Sequence, residues 1–263
     1  LYKTMYQITP LSKVIDIMTL RYDYHNVKVI LKSKALGKDL SHLLISAGAL
    51  STDALKGYLF SNELKEMDEH FRQIILRVEE DFEESKNPQV IDIELDKCLY
   101  SHMLQLASEL GIDFITAYVK QSIDIINIKT MLRVQKQGKD IRFLEETLIP
   151  GGTISLSLLI TGLNTSLEEF SKAIQGTPYS KALCVVLDQY GQKQNIALLD
   201  VLYDNYIMSH IREAKKVNFG PEPLIAYVIA KETDIKILRI ILVGKINRVS
   251  PEVIRERLRE LYA

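Results

Sequence analysis

The sequence predicts an all-α protein, and three observations support this prediction. Glycine and proline are sparse, with 12 and 7 among 263 residues, and most of them stand between periodic stretches. Apolar residues recur at three- and four-residue spacing along most of the chain, which is the period of a helix with one buried face. No segment alternates polar and apolar residues between turn signals, so no β-sheet is expected.

Capping signals predict the helices of the first half of the chain. A strongly charged helix is predicted over 62–84, because its apolar residues fall at helical spacing. Asn87 followed by Pro88 opens a second helix, which Gly111 ends. A long helix over 112–137 comes next, and Gly138 ends it.

The second half of the chain contains comparable signals. Ser166 precedes Glu169 by three residues, the spacing of a capping box, so a helix begins there. The segment 220–223 opens a long helix that runs through Ile246. Ser250 and Pro251 open the last predicted helix, which has an apolar stripe. The stripe consists of Ile254, Leu258 and Leu261.

A polar pattern occurs three times along the chain, at a separation of roughly 100 residues. Each copy has an acid, an apolar residue four positions on, a base at the fifth position and leucine at the eighth. The acids are Asp23, Asp124 and Asp234, and the bases are Lys28, Lys129 and Arg239. The period is too long for a solenoid. We therefore predict three related helical subdomains, 1–62, 63–164 and 165–263, with approximate threefold symmetry.

Two roles are open for the repeated charges. In the structural interpretation, which we favour for the acids, each acid bonds to the helix end of a neighbouring subdomain and fixes the packing. In the functional interpretation, which is equally favoured for the bases, they line a central axis and meet acidic or polar groups of a partner. Five residues turn a helix through roughly 140°, so acid and base of one copy do not form a local pair.

The sequence argues against several kinds of chemistry. Three Gly-Lys pairs lack the other residues of a phosphate-binding loop, so we interpret each glycine as a helix end; the pairs begin at Gly37, Gly138 and Gly244. No histidine stands at metal-ligand spacing from another histidine or a cysteine. The acidic run 79–84 could hold a cation, but a solvated helix face is favoured. We predict no catalytic residue, no metal site and no cofactor.

Composition narrows the partners further. The formal net charge of −1 does not favour nucleic acid binding. The longest apolar tracts are too short to span a membrane. Cys98 and Cys184 show no metal-type spacing, and we expect buried, reduced thiols. The last predicted helix is rich in charge, and we expect some of its arginines to meet another protein or the next subdomain; they are Arg255, Arg257 and Arg259.

Four segments of the C-terminal third carry a family resemblance, namely 219–227, 231–232, 239–245 and 254–262. Together they resemble the end of the C subunit of archaeal and bacterial V/A-type rotary ATPases, the relative of the d subunit of eukaryotic V-ATPases. The Asp-x-x-Asn-apolar-Lys pattern at Asp23 and Asp124 is also similar to that family, and so is the three-copy layout. The chain departs from the family at Ile237, where the other copies have asparagine.

The resemblance implies a non-catalytic rotor component. Members of the family form a funnel of three helical subdomains on the cytoplasmic face of the membrane rotor ring, which is built from c/K/L-type proteolipid subunits. The funnel receives the foot of the central shaft, made by subunits D and F, and so couples ATP turnover to H⁺ or Na⁺ movement. Because the first copy begins soon after Leu1, we expect an N-terminally incomplete first subdomain. The alternative is a free-standing helical scaffold or adaptor unconnected to ion transport.

Overall fold

A computed structural model describes residues 1–9, 12–61, 64, 67–177, 180–193, 197–217 and 220–262. All regular secondary structure within these ranges is helical, and no strand occurs in them. The all-α prediction is therefore confirmed. None of the described helices is long and apolar enough to cross a membrane.

The chain divides into two compact units, and each is described by itself. The N-terminal unit comprises residues 2–119 and 149–151. Its helices are α1 (Tyr2–Ile8), α2 (Ser12–Leu36), α3 (Thr52–Ser61), α4 (Glu69–Ser85) and α5 (Pro88–Leu110), with a short 3-10 helix at Ser41–Leu43. The core of this unit forms where α2 packs against α5, and α4 packs against α5 beside it.

The C-terminal unit comprises residues 120–148 and 152–263, together with Leu1. Most of α6 (Asp113–Gln137) belongs to it. It continues with α7 (Ile141–Thr147), α8 (Leu156–Gly162), α9 (Leu167–Ala173), α10 (Ser180–Lys193), α11 (Ala197–Glu213), a 3-10 helix at Ala214–Lys216, α12 (Glu222–Ile246) and α13 (Pro251–Glu256). The division into three subdomains at 62/63 and 164/165 stays a prediction.

Several predicted helix ends are confirmed by their hydrogen bonds. The side chain of Asn87 accepts the backbone N–H of Gln89, and Gly111 ends α5 in the left-handed conformation at φ 64°. Ser166 and Glu169 form both bonds of the capping box at the start of α9. These ends were predictable because each cap involves residues that are close in sequence.

Two predicted helices have different bounds. The charged helix begins at Glu69, because the carboxylate of Asp68 accepts the N–H of His70 and caps it there. Residues 62, 63, 65 and 66, where that helix was predicted to start, lie outside the described residues. The last helix ends at Glu256, so Leu258 and Leu261 of its predicted stripe lie outside it.

The interpretation of the Gly-Lys pairs as helix ends is right for two of the three. Gly37 and Gly138 follow α2 and α6 directly, with φ of 61° and 63°. Gly244 lies inside α12, and Arg248 takes the left-handed conformation after that helix instead, at φ 54°. A Cβ on Gly244 would lie 2.8 Å from the Ile254 side chain, so glycine here permits α13 to approach α12 closely.

Candidate functional site

In the first copy of the repeat, two polar side chains of α2 hold the loop that follows. Asp23 is fully buried, and its carboxylate accepts the N–H groups of Ala49 at 3.1 Å and Leu50 at 2.8 Å. Asn26 accepts the N–H of Ile45 and donates to its carbonyl, both at 2.8 Å. These bonds satisfy buried polar groups on both sides, so they fix the loop against the helix.

The second copy makes the same kind of contact with its own loop. Asp124 is also fully buried and accepts the N–H groups of Thr153 at 2.9 Å and Ile154 at 3.0 Å. Asp23 and Asp124 thus bond within their own repeat, and our expectation of a bond to a neighbouring subdomain's helix end was wrong. We call each buried aspartate with its two amides a loop clamp.

Each loop clamp depends on a glycine. A Cβ on Gly48 would lie 2.0 Å from Oδ1 of Asp23, and a Cβ on Gly152 would lie 2.1 Å from Oδ1 of Asp124. Only glycine therefore allows the backbone to come this close to the carboxylate. Neither glycine was predicted from the sequence, although both begin the same four-residue pattern, Gly-x-apolar-Ser. The serines, Ser51 and Ser155, directly precede α3 and α8.

The aspartates of the loop clamps have raised pKa values. Burial raises the pKa of Asp124 to about 6, and the two N–H donors from the loop offset part of that rise. Burial raises the pKa of Asp23 as well, again opposed by its two N–H donors. The backbone amides therefore compensate for the water that each carboxylate has lost.

The repeated base of the first copy pairs with carboxylates on another helix. Nζ of Lys28 lies 3.0 Å from Asp96 and 3.3 Å from Asp92, both on α5. Lys32, one turn further along α2, lies 2.7 Å from Asp92. Because these four side chains are half-buried, the cluster is screened less than a surface ion pair would be.

The base of the second copy behaves in the same way. Lys129 on α6 forms an ion pair with Asp200 on α11. The acids of α5 and α11 share a spacing that our sequence analysis missed, since Asp92 and Asp96 are four residues apart and so are Asp200 and Asp204. Acids at this spacing lie on one face of a helix. In both copies that face meets the repeated lysine.

The third copy differs from the first two. Asp234 is half-buried and pairs with Lys231 on its own helix, at 3.3 Å. Arg239 is exposed, and no ion pair joins it to any residue that the structure describes. The acid pattern thus returns in this copy without a loop clamp, and the base returns without the pair that Lys28 and Lys129 make.

The three arginines near the C-terminus have distinct surroundings. The Nε of Arg259 is 2.7 Å from the Asp204 carboxylate, and its side chain is buried. Arg255 is exposed and lies 3.9 Å from Glu252, and Arg257 is exposed as well. Of the three, Arg255 and Arg257 therefore present their guanidinium groups at the surface.

The acidic run on α4 shows no metal site. Glu79 accepts a hydrogen bond from Tyr58 at 2.5 Å and pairs with Lys34 at 2.6 Å. Over the described residues, no group of three or more histidine, cysteine or acidic side chains could hold a metal ion. The Tyr58 and Lys34 contacts give Glu79 a structural role.

A histidine pair in the N-terminal unit escaped the sequence analysis. The rings of His70 and His102 lie 4.3 Å apart, and the Tyr24 hydroxyl is 3.4 Å from the first and 3.3 Å from the second. Burial and then the charge of His70 lower the pKa of His102. No sequence spacing predicts this cluster, because its members come from α2, α4 and α5.

A family model and several named proteins are similar to this chain along most of its length. The family model described as ATP synthase (C/AC39) subunit matches residues 1–257. The chain is 30% identical to the C subunit of the V-type sodium ATPase of Enterococcus hirae, over all of this chain and 79% of that protein. It is 25% identical to the C subunit of the A-type ATP synthase of Methanocaldococcus jannaschii, over 98% of this chain and 68% of that protein. For the C subunit of the Pyrococcus abyssi A-type ATP synthase the identity is 26%, over 98% and 71%.

The matched region contains both loop clamps, both lysine-carboxylate pairs and the whole of α12. It therefore includes the repeated polar pattern on which the sequence resemblance was partly based. The chain belongs to the C/AC39 family of V- and A-type ATPase subunits, which are non-catalytic.

Proposed function

We propose that this chain is the central-stalk socket of a V/A-type ATPase. In this role it binds the central-shaft subunits D and F on one side and the membrane rotor ring of c/K/L-type subunits on the other. It works at the cytoplasmic face of the membrane and transmits torque during ATP-driven H⁺ or Na⁺ transport or ATP synthesis. The matched relatives, which are named as C subunits of a V-type sodium ATPase and of A-type ATP synthases, support a place in such a complex.

The observation that carries the proposal is the repeated loop clamp with its neighbouring lysine-carboxylate pair. A torque-transmitting part must resist shear, and tightly packed interiors have low compressibility. Asp23 and Asp124 hold loops against long helices, while Lys28 and Lys129 join those helices to α5 and α11. Bonds that join loops to helices, and helices to each other, stiffen a protein that has to transmit torque.

The experiment is a pull-down of the full-length protein with two kinds of partner. Purified shaft subunits D and F are used in one arm and detergent-solubilised rotor ring in the other, and ATP hydrolysis by the protein alone is measured in parallel. We expect binding to both partners and no turnover. Binding to neither partner, with helical circular dichroism intact, would reject the socket and favour the scaffold alternative.

The repeated bases and the C-terminal arginines divide into two groups in this proposal. Arg239, Arg255 and Arg257 are exposed, so we place them at an interface with a partner. Lys28 and Lys129 engage carboxylates of this chain and serve assembly indirectly, by holding its helices. Arg259 does the same through Asp204.

A pair of variants tests this division. Replacing Arg239, Arg255 and Arg257 by glutamine is expected to weaken partner binding, and the loss is expected to grow at low salt, where exposed charges are screened least. Replacing Lys28 and Lys129 by glutamine is expected to lower the melting temperature, and to affect partner binding only through this loss of stability. Unchanged binding by the folded arginine variant would remove these three residues from the interface.

A further inference from the structure

Four rings meet where α2, α4 and α5 of the N-terminal unit pack together. They belong to Tyr24 on α2, His70 and Phe71 at the start of α4, and His102 on α5. The centroids of the two imidazoles are 4.3 Å apart, and those of the Tyr24 and Phe71 rings are 5.2 Å apart. Tyr24 is buried, His102 is half-buried and His70 is exposed. The first turns of α4 therefore reach α2 and α5 through a contact that contains two titratable rings.

The hydrogen bonds of the cluster suit neutral histidines. A neutral imidazole has one donor nitrogen and one acceptor nitrogen. The Tyr24 hydroxyl is 3.4 Å from Nε2 of His70 and 3.3 Å from Nδ1 of His102. It can therefore donate its proton to one of these nitrogens and accept a proton from the other. Both histidines and the buried hydroxyl are satisfied in this state.

Protonation of both histidines removes this arrangement. Neither nitrogen can then accept the hydroxyl proton of Tyr24, and a buried donor without an acceptor is unfavourable. Two positive charges at this separation also repel each other, more strongly where water is partly excluded. Burial, followed by the charge of His70, accordingly lowers the pKa of His102.

Other titratable and charged groups act on the cluster without reversing this effect. They are Asp23 on α2, Asp68 and Arg77 at the cap and in the body of α4, and Cys98 and Glu109 on α5. Asp68 and Glu109 favour the charged form of His102, but less than burial and the other histidine disfavour it. Asp68 caps α4 by accepting the N–H of His70, and Glu109 lies 3.4 Å from Lys13. Both carboxylates are thus engaged by groups other than the two imidazoles.

We propose that Tyr24, His70 and His102 form a pH-sensitive latch, which holds the first turns of α4 against α2 and α5 while the histidines are neutral and releases them when both are protonated. Histidine ordinarily titrates near pH 6.5, so the change falls in a physiological range. Because the pKa of His102 is lowered, the latch is fully stable above pH 6.5 and is lost as pH falls through the lowered value. The inference concerns the N-terminal unit alone and does not depend on the partners of the proposed socket.

Hydrogen–deuterium exchange of the full-length protein tests the latch. It is measured near pH 7.5 and near pH 5.5, about one unit to either side of the ordinary pKa of histidine. After correction for the intrinsic pH dependence of exchange, the amides of residues 71–76 on α4 are expected to open severalfold more often at the lower pH. The middle of α5, residues 93–100, is expected to change little and serves as the internal reference.

Two histidine variants and one control separate the latch from general acid destabilisation. His102→Phe keeps a ring in the cluster that cannot be protonated, and it is expected to abolish the additional opening of α4 at low pH. His70→Gln changes an exposed side chain and is expected to reduce that opening strongly. His42→Gln removes an exposed histidine of the same unit outside the cluster and is expected to leave the opening unchanged. Circular dichroism checks that each variant is folded, and if His102→Phe is not, His70→Gln decides.

The interaction between the two imidazoles has its own readout. In an NMR titration, His70→Gln is expected to raise the pKa of His102, because the neighbouring positive charge is removed. An unchanged pKa of His102 in this variant would show that the two rings do not influence each other, and would overturn the latch.

Two further results would overturn the proposal. Equal opening of α4 at both pH values would show that protonation does not release the helix. Low-pH opening that persists in the folded histidine variants, or that extends equally through α5, would assign it to acid destabilisation of the whole unit.

Discussion

The first two copies of the repeat and the third have similar sequences but make different contacts. Asp23 and Asp124 are buried and hold loops, while Asp234 is half-buried and pairs within its helix. The loops of the first two copies contain Gly48 and Gly152, and residues 247–250 after α12 contain no glycine. An acid at a repeated position thus forms a loop clamp only where a glycine in the following loop allows the backbone to come close to its carboxylate.

The largest expected effect comes from adding a methyl group inside a loop clamp. Gly152→Ala forces a Cβ onto the Asp124 carboxylate, so we expect the free energy of unfolding to fall by about 3 kcal/mol. Gly57→Ala is the matched control, because no heavy atom lies within 4 Å of its Cβ position in α3. We expect that substitution to be neutral or to stabilise by up to about 1 kcal/mol.

Urea denaturation followed by circular dichroism measures the free energy of unfolding of both alanine variants. The midpoint is expected to fall for Gly152→Ala and to stay or rise for Gly57→Ala. A result in which both variants lose the same stability would remove the close approach at Gly152 as the cause.

A smaller effect is expected from removing the acids themselves. Asp124→Ala leaves the N–H groups of Thr153 and Ile154 without their acceptor, which we expect to cost about 2 kcal/mol. Asp234→Ala removes only a pair with the exposed Lys231, so we expect a change below about 0.5 kcal/mol. Chemical denaturation of the two variants side by side compares the copies directly. Equal losses would mean that the third copy holds a contact of similar value.

The pH dependence of stability gives a third comparison between the copies. Burial raises the pKa of Glu232, two residues before Asp234, from an ordinary value of 4.5 to about 8. Between these values the native state binds more protons than the unfolded state, so stability falls as pH rises from about 5 to about 8. Glu232→Gln removes the titration and is expected to flatten this part of the profile.

Melting temperatures measured at half-unit pH intervals provide the readout. Asp124, with a pKa of about 6, also makes stability fall as pH rises, but over a narrower pH range. This contribution remains in the Glu232→Gln variant. A profile that keeps its full slope in the variant would show that Glu232 titrates normally in the folded protein.

The parts of the fold that were predictable are those fixed by neighbours in sequence. Asn87 and Pro88 opened a helix as predicted, and so did Ser166 with Glu169. Gly138 ended one, since a left-handed residue after a helix requires only local geometry. The repeat predicted that Asp23 and Asp124 would have equivalent roles, and their hydrogen bonds are equivalent.

The parts that were missed depend on residues far apart in the chain. The last helix was predicted to run to its final apolar residue, but it ends at Glu256, and Arg259 beyond it binds Asp204 on α11. His70 and His102 meet only because their helices pack side by side. Spacing along one helix cannot predict contacts between residues of different helices. The shared four-residue spacing of the acids on α5 and α11 would, however, have indicated the carboxylate partners of Lys28 and Lys129.

The loop clamps also set a limit on how the length of the chain can vary. Loops on a protein surface usually tolerate insertions and deletions. The segment between Asn26 and Leu50 must bring Ile45, Ala49 and Leu50 to two side chains less than one helical turn apart. With one extra residue between Ile45 and Ala49, the bond of Ile45 to Asn26 and the bonds of Ala49 and Leu50 to Asp23 could no longer all form in their present geometry. We therefore expect the number of residues in this loop to be fixed, unlike that of an ordinary surface loop.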